Sequence, residues 1–356
     1  MSRPGGVGFA MDVQIALFLA QDGVTTGAIY ALLALALVLV FAVTRVIFIP
    51  QGEFVAYGAL TLAMIQTGQL PATLWLLLAM GAAACVLDGV PAVRKRQFAR
   101  LGRVLGWNLA YPLVLWLALA GLPLARLPML GQIVLALAVV VPMGPLIYRL
   151  VYQPIASASV LILLITSMAV HVTMAGLGLL FFGAEGQRTP PFSEARFSVN
   201  EVMQISGQSL WVVLASLALI AALYVFFERS LYGKVLKATA FNRVGARLMG
   251  FSPVLAGRLT FFLAALIGAL SGILIAPMTT IYYDTGFLIA LKGFVGAIIG
   301  GLASYPVAAA GALVVGLLEA FASFWASTYK EVIVFTLIIP VLLWRSLKSH
   351  HMEDEE

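Results

Sequence analysis

Long apolar runs separated by short polar loops dominate the chain. The runs lie at roughly 24–44, 54–67, 71–90, 107–122, 128–148, 158–181, 208–228, 255–276, 286–302, 306–326 and 331–347. A helix needs about 20 predominantly apolar residues to cross the hydrocarbon of a bilayer. The pattern therefore predicts an all-α fold, a polytopic transmembrane helical bundle of about 8–11 spans, with residues 1–356 forming a single transmembrane domain. Two runs are expected to be irregular. The run at 54–67 is short and follows Ile49-Pro50-Gln51-Gly52-Glu53, which predicts a broken or re-entrant helix. The run at 286–302 is rich in glycine and carries Lys292. Irregular backbone survives at membrane depth only where protein or water covers it.

Within the runs, small residues recur four positions apart: Gly268 with Gly272, Gly296 with Gly300, Ala312 with Gly316. Such faces let helices approach closely in lipid, where no hydrophobic effect drives association. They predict helix packing and nothing more specific.

Composition agrees with the pattern. Of 356 residues, 62% are hydrophobic and 10% charged, against roughly 25% charged in soluble domains. A lone Cys85 excludes an internal disulfide and any cysteine-based metal cluster. The net charge of +6 does not indicate nucleic acid, because the basic residues cluster between apolar runs, as they do where Lys and Arg fix orientation. The stretch Arg94–Arg103, Arg149, the loop after 228, and Arg345 with Lys348 are expected in the cytoplasm. The mixed loop 182–204, with Pro190-Pro191, is expected outside. Alternate threading satisfies all of these with the N-terminus outside and the C-terminus inside. The opening "MSRPGGVGFAMDVQ" has no apolar core or small-residue cleavage site, so the first helix is expected to remain as a signal anchor. His350 and His351 in the tail make a poor metal site.

Polar residues inside apolar runs need a reason, since a charge at the bilayer centre costs about 2.5–3.5 kcal/mol on insertion scales. Lys292 and Glu319 lie on consecutive helices, and their pairing would relieve both costs. They read either as an internal ion pair or as a hydrophilic lining for a dipolar solute. Glu53 opens a short helix, where the dipole favours a carboxylate. Together with Gln51 it is also a candidate for a transport route, because half-helix ends often line one. Thr25 and Thr26 are expected to bond across helices or to face solute. His171 is expected to be a packing histidine, alone in mid-span, and Asp88 to be capped or solvated near an interface.

One loop stands apart. From Arg229 to Arg258 there is no Asp or Glu, and residues 233–251 read "GKVLKATAFNRVGARLMGF". Leu236, Ala240, Val244 and Leu248 recur every fourth position, which in one unbroken helix would drift into Lys237 and Arg247. A break near Asn242 removes the conflict and predicts two short amphipathic helices, the second ended by Gly250 and Pro253. Such a hairpin suits docking in a partner's groove or lying on anionic headgroups.

This loop resembles the cytoplasmic coupling loop of ABC importer permeases, with Gly233, Ala238, Ala246 and Gly250 at the small-residue positions, and is most similar to that of the high-affinity branched-chain amino acid permeases. "DGVTTGAIYALLALALVLVFAVTRVIFIPQGEFVAYGA" looks like that family's first helix and following G-E segment. "YRLVYQPIASASVLILLITSMAV", "GFLIALKGFVGAIIGGLASYPVAAAGALVVGLLEAFASFW" and "TYKEVIVFTLIIPVLLW" resemble its central and final stretches, in order. Gln51 stands where the family has a histidine, Phe241-Asn242-Arg243 where it has an acidic residue, and about 80–140 reads as an insertion.

The resemblance implies one permease half in an inner (cytoplasmic) membrane. It would pair with a second permease subunit, two ABC ATPase subunits and a periplasmic substrate-binding protein. The loop 229–258 would then couple to the ATPases through Gly233, Lys237, Ala238, Arg243, Ala246, Arg247 and Gly250. The chain itself has neither a catalytic constellation nor a G-x-x-x-x-G-K-[ST] phosphate loop, so no cofactor is expected on it and the ATP would be used by partners. Urea, short amides or sugars are alternative solutes within the same superfamily. An ion-coupled secondary transporter is the alternative from another class.

Overall fold

The computed structural model describes residues 5–94, 102, 105–198, 204–343 and 347. Most of the basic run 94–103, Arg345, Lys348 and the histidine-containing tail lie outside the described residues. The helices follow the apolar runs closely. They are α1 (Gly5–Thr44), α2 (Gln51–Gln66), α3 (Thr73–Arg94), α4 (Gly106–Gly121), α5 (Met129–Tyr152) and α6 (Val160–Phe182). After a hairpin of β1 (Arg196–Ser198) and β2 (Gln204–Ser206) come α7 (Gly207–Arg229), α8 (Leu231–Phe241) and α9 (Arg243–Leu248). The series ends with α10 (Pro253–Ile275), α11 (Thr285–Ile299), α12 (Tyr305–Trp325) and α13 (Lys330–Thr336). Seven of the described helices are long and apolar enough to cross a membrane, and α4 and α11 are shorter apolar helices.

Boundaries follow local chemistry. Ser159, Ser230 and Ser252 cap α6, α8 and α10, each hydroxyl accepting a backbone N–H of the first turn. Pro253 and Pro306 sit in first turns, where a missing N–H costs nothing. Pro142 and Pro145 interrupt α5, whose last turn, Tyr148–Tyr152, widens to π geometry. α1 begins well before the predicted 24, because neither glycine nor proline breaks the chain between Met11 and Asp22.

The chain divides into two compact units. One comprises Met1–Val38, Pro191–Ala222 and Ile289–Glu356; the other comprises Leu39–Pro190 and Leu223–Leu288.

In the second unit, α2 is the central element. Apart from Met64 and Gln66 its residues are buried, so this 16-residue helix, at about 24 Å too short to span the hydrocarbon, is covered by protein. It runs unbroken from Gln51 to Gln66, after an irregular stretch in which Arg45 has φ 62°. Glycines set its neighbours' approach. A Cβ on Gly58 would lie 2.7 Å from Ala269 Cα, and one on Gly272 would run into the Val55 carbonyl. Gly268 and Gly272 thus form the face of α10 that meets α2. Phe48, Phe54, Tyr148, Tyr152 and Phe261 fill one end of this unit, with Phe48 and Phe261 ring centres 4.7 Å apart.

In the first unit the same device joins α1, α11 and α12. Cβ atoms on Gly296 and Gly300 would clash with Ala312 and Ala308, while Gly316 faces Gly27 and Gly293 faces Leu33. Ala312 and Gly316 therefore serve two neighbours, α11 and α1. Exposed apolar faces occur in each unit: α6 of the second presents Leu161, Ile165, Val172 and Leu180, and the first-unit part of α7 presents Leu214 and Leu217, each more than half exposed. Faces of this kind are stable only against lipid or a partner.

Candidate functional site

The basic loop folds as two helices broken at Asn242. That residue is extended (φ −145°, ψ 98°), and its Oδ1 accepts the Gly245 N–H at 2.8 Å, so the break is itself the N-cap of α9. Gly250, at φ 86°, reverses the chain after α9 in a conformation that side chains avoid.

The apolar positions do not share one face. Gly233, Val235, Leu236, Thr239 and Ala246 turn inward, with Gly233 against the backbone of Phe226 and Phe227. Phe241, Val244, Leu248 and Met249 turn outward, between 71% and 94% exposed. On the same two helices Lys234, Lys237 and Arg247 are exposed. The four-residue stripe is thus divided by the break: Leu236 packs inside, whereas Val244 and Leu248 are presented.

Of the small residues expected at the coupling face, Ala238 and Gly250 are exposed, while Gly233 and Ala246 instead bring the hairpin close to its own scaffold. Lys237 pairs with Glu228 at the end of α7, and Arg243 reaches back to the Ala156 carbonyl at 3.3 Å. Phe241 and Met249 did not emerge from the sequence pattern. The available signal was a large apolar residue next to each helix terminator in a basic loop.

Lys292 and Glu319 meet, as their positions on consecutive helices suggested. The ammonium pairs with Glu319 Oε1, and Tyr30 OH donates to Oε2 at 2.6 Å. Lys292 Nζ also lies 5.9 Å from the Tyr30 ring centre. Both carboxylate oxygens are engaged and both side chains are nearly buried, so the cluster is closed upon itself. Tyr30 was not foreseen, because α1 lies 289 positions from Glu319 in the sequence.

Glu53 is fully buried in the first turn of α2. His171 of α6 comes to it, Nδ1 lying 2.7 Å from Oε1, while the imidazole stacks on Phe287 with ring centres 4.4 Å apart. His171 is therefore not alone in mid-span; the fold supplies the acceptor that a buried ring N–H needs. Among the described residues Glu53 Oε2 and Gln51 Oε1 are buried without a hydrogen-bond partner, although Gln51 Nε2 donates to the Ala264 carbonyl at 2.9 Å.

Two further expectations change. Thr25 and Thr26 donate to the carbonyls of Gln21 and Asp22 in their own helix, at 2.8 and 2.6 Å, and not across helices. A threonine hydroxyl reaches the carbonyl four residues back, so it is satisfied without a neighbour. Asp88, expected near solvent, is instead mostly buried and paired: the Arg149 guanidinium forks onto its carboxylate, with Nε 3.1 Å from each oxygen.

The sequence as a whole has relatives. Residues 19–97 and 98–342 match the family described as the branched-chain amino acid transport system permease component. The chain is 28% identical over 352 residues to the high-affinity branched-chain amino acid transport system permease protein LivH of Escherichia coli K12, covering 94% of this chain and 95% of that one. It is 28% identical over 249 residues to the permease protein BraD of Pseudomonas aeruginosa, covering 68% and 81%. A probable LivH of Methanocaldococcus jannaschii is 25% identical over 303 residues, covering 77% and 91%. No solved structure matches the chain.

Proposed function

Because this chain belongs to the branched-chain amino acid transport permease family, a family of multi-pass membrane proteins, we propose that it is one permease half of an importer that moves branched-chain or related amino acids inward. The observation that carries the coupling role is the α8–α9 hairpin, where Phe241, Val244, Leu248 and Met249 are exposed on the same two short helices as exposed Lys234, Lys237 and Arg247. Apolar anchors rimmed by charge suit a groove on a partner protein. ATPase and substrate-binding partners are general to importers of this family. We infer the finer assembly to be a second permease subunit, two ATPase subunits bound at α8–α9 and a periplasmic binding protein, all at the cytoplasmic membrane.

The inward-turned residues give the hairpin its purchase. Gly233 seats α8 on the end of α7, Ala246 is buried in α9, and α10 begins three residues after Gly250 at Pro253. A push on α9 would thus be passed to α10, which packs along α2. Gln51 and Glu53 lie on that helix, and their unpartnered oxygens are the groups best suited to meet a solute's ammonium as α2 shifts. The closed Lys292–Glu319–Tyr30 cluster serves packing in this reading.

The test is the paired substitution Phe241→Ser and Leu248→Asp, with Arg247→Glu as a separate variant. Each is expected to leave membrane insertion intact, to release the ATPase subunits from detergent pull-downs, and to abolish uptake of labelled leucine. Retention of both ATPase association and uptake would show that the hairpin is not the coupling element. Ion-driven uptake by the purified chain alone would instead establish secondary transport.

A further inference from the structure

Polar ties along one stripe attach α6 to the rest of its unit. Ser167, His171, Met174, Gly178 and Phe182 recur every three or four positions and so share a helix face. Ser167 Oγ and Tyr152 OH share a hydrogen bond at 3.0 Å, His171 Nδ1 lies 2.7 Å from Glu53 Oε1, and Tyr57 OH donates to the Met174 carbonyl at 2.8 Å. The exposed side of α6 is apolar, with Leu161, Ile165, Val172 and Leu180. Ionisable side chains within membrane helices are costly and characteristically mark a solute or ion pathway. Beside this seam α6 is unpacked. A cavity of about 310 Å³ lies between it and residues of α3 and α5, lined by Leu76, Met80, Leu150 and Val170. Thr166 and Thr173 also line it, but their hydroxyls donate to carbonyls of α6 itself, each at 2.8 Å. Close-packed neighbours resist displacement, and on this flank α6 meets a void instead. Before α6, the turn containing Ala156 is held by Arg243 of α9, which donates to the Ala156 carbonyl at 3.3 Å. After it, Gly183 turns the chain at φ 78°.

On the reading of Glu53 as a solute contact, on which this rests, we propose that α6 gates that contact and that His171 is its latch. In the closed position the imidazole occupies Glu53 Oε1, and stacking on Phe287, with ring centres 4.4 Å apart, fixes its plane. Oε2, buried without a partner among the described residues, is left for an incoming ammonium. An ammonium drawn to Oε2 competes for the carboxylate that holds the imidazole, and α6 parts from α2 toward its empty flank. The solute opens the gate because it binds the open position better. The seam consists of single hydrogen bonds, each of small net worth, so it separates and re-forms without breaking an apolar core. His171 is thus a positioning residue that acts through Glu53. Through Ala156, a movement of α9 also reaches α6 directly, beside the route through α10.

The experiment reads the accessibility of position 167 in cells carrying the complete importer, with Cys85 replaced by Ser. Ser167 is fully buried against Tyr152, so Ser167→Cys meets a small cationic methanethiosulfonate only when α6 leaves its seat. Labelling is expected to be about fivefold faster with external leucine than without it. Adding His171→Leu should make it fast under both conditions. His171→Asn, whose amide can donate to Glu53 in place of the ring N–H, should keep the leucine dependence. Ser271→Cys, equally buried in α10, reports general loosening and should stay unreactive in every background. The latch is overturned if His171→Leu leaves Ser167→Cys as slow as before, or if it exposes Ser271→Cys to the same degree. Where His171→Leu fails to fold, the chain that keeps His171 decides, and equal rates with and without leucine in cells that import leucine overturn the gate. Leucine uptake and recovery of ATPase subunits are scored in the same cells. Leucine-dependent labelling with no ATPase bound would keep the gate and remove the importer reading. Leucine import with ATPases bound and Ser167→Cys never labelled would remove the gate alone.

Discussion

Lys292 shows how a single buried charge is tolerated. The ammonium is matched by Glu319 Oε1, and the second carboxylate oxygen by the Tyr30 hydroxyl, so no ionised group in the cluster lacks a partner. Removing one member of a buried pair strands the other at a cost of about 3–5 kcal/mol, whereas removing both can be nearly neutral. Lys292→Met is therefore expected to lower the unfolding midpoint in detergent sharply, and the double change Lys292→Met with Glu319→Gln to recover much of the loss. Simple addition of the two single losses would show that the residues do not act as a pair. Glu53 and His171 have a different character. Their one hydrogen bond leaves Oε2 without a partner in the described structure. An unsatisfied buried oxygen at the start of a short helix costs free energy and is better suited to a changing contact than to a fixed one.

At the level of elements, two devices recur: glycine for close approach and a polar cap for a planned break. The hairpin depends on the second. Asn242 both interrupts the helix and caps α9 through Gly245. Asn242→Ala removes the cap, which is typically worth about 1 kcal/mol. It also favours one continuous helix, in which Val244 and Leu248 would turn relative to Leu236. The expected result is a chain that folds and inserts normally but loses coupled transport, with ATPase activity no longer stimulated by substrate. Stimulation at the original level would mean that the break has no part in transmission. The break was legible because a continuous helix would have placed Lys237 and Arg247 on the apolar stripe. The outward turn of Phe241 and Met249 was not legible, since it depends on Gly233 packing against the Phe226 and Phe227 backbone and on the burial of Ala246.

For the whole molecule, orientation is set by where the basic loops fall. Alternate threading places the hairpin inside and the loop 182–204 outside. With Cys85 replaced by Ser, the chain is free of cysteine, and single cysteines then report sidedness. Phe241→Cys should be shielded from a membrane-impermeant maleimide in intact cells and labelled in inverted vesicles; Ser193→Cys should show the reverse. Labelling of both from the same side would break the threading.

The apolar runs alone determined the class and nearly every helix, because a segment in lipid must satisfy its own backbone hydrogen bonds and so must be helical wherever it is long and apolar. They also marked α2 as unusually short, and the preceding Pro50 as its boundary. The four-residue glycine spacings announced close packing without naming the partners. Tertiary structure decided those partners: Gly272 against Val55, Gly296 against Ala312, Gly316 against Gly27. It also decided which charges meet. The Lys292–Glu319 pair was foreseeable because consecutive helices confine both ends. His171 with Glu53 and Arg149 with Asp88 lie 118 and 61 positions apart. Such partners are chosen by how helices stack around α2, and a linear pattern of apolar residues carries no record of which neighbour each helix will face.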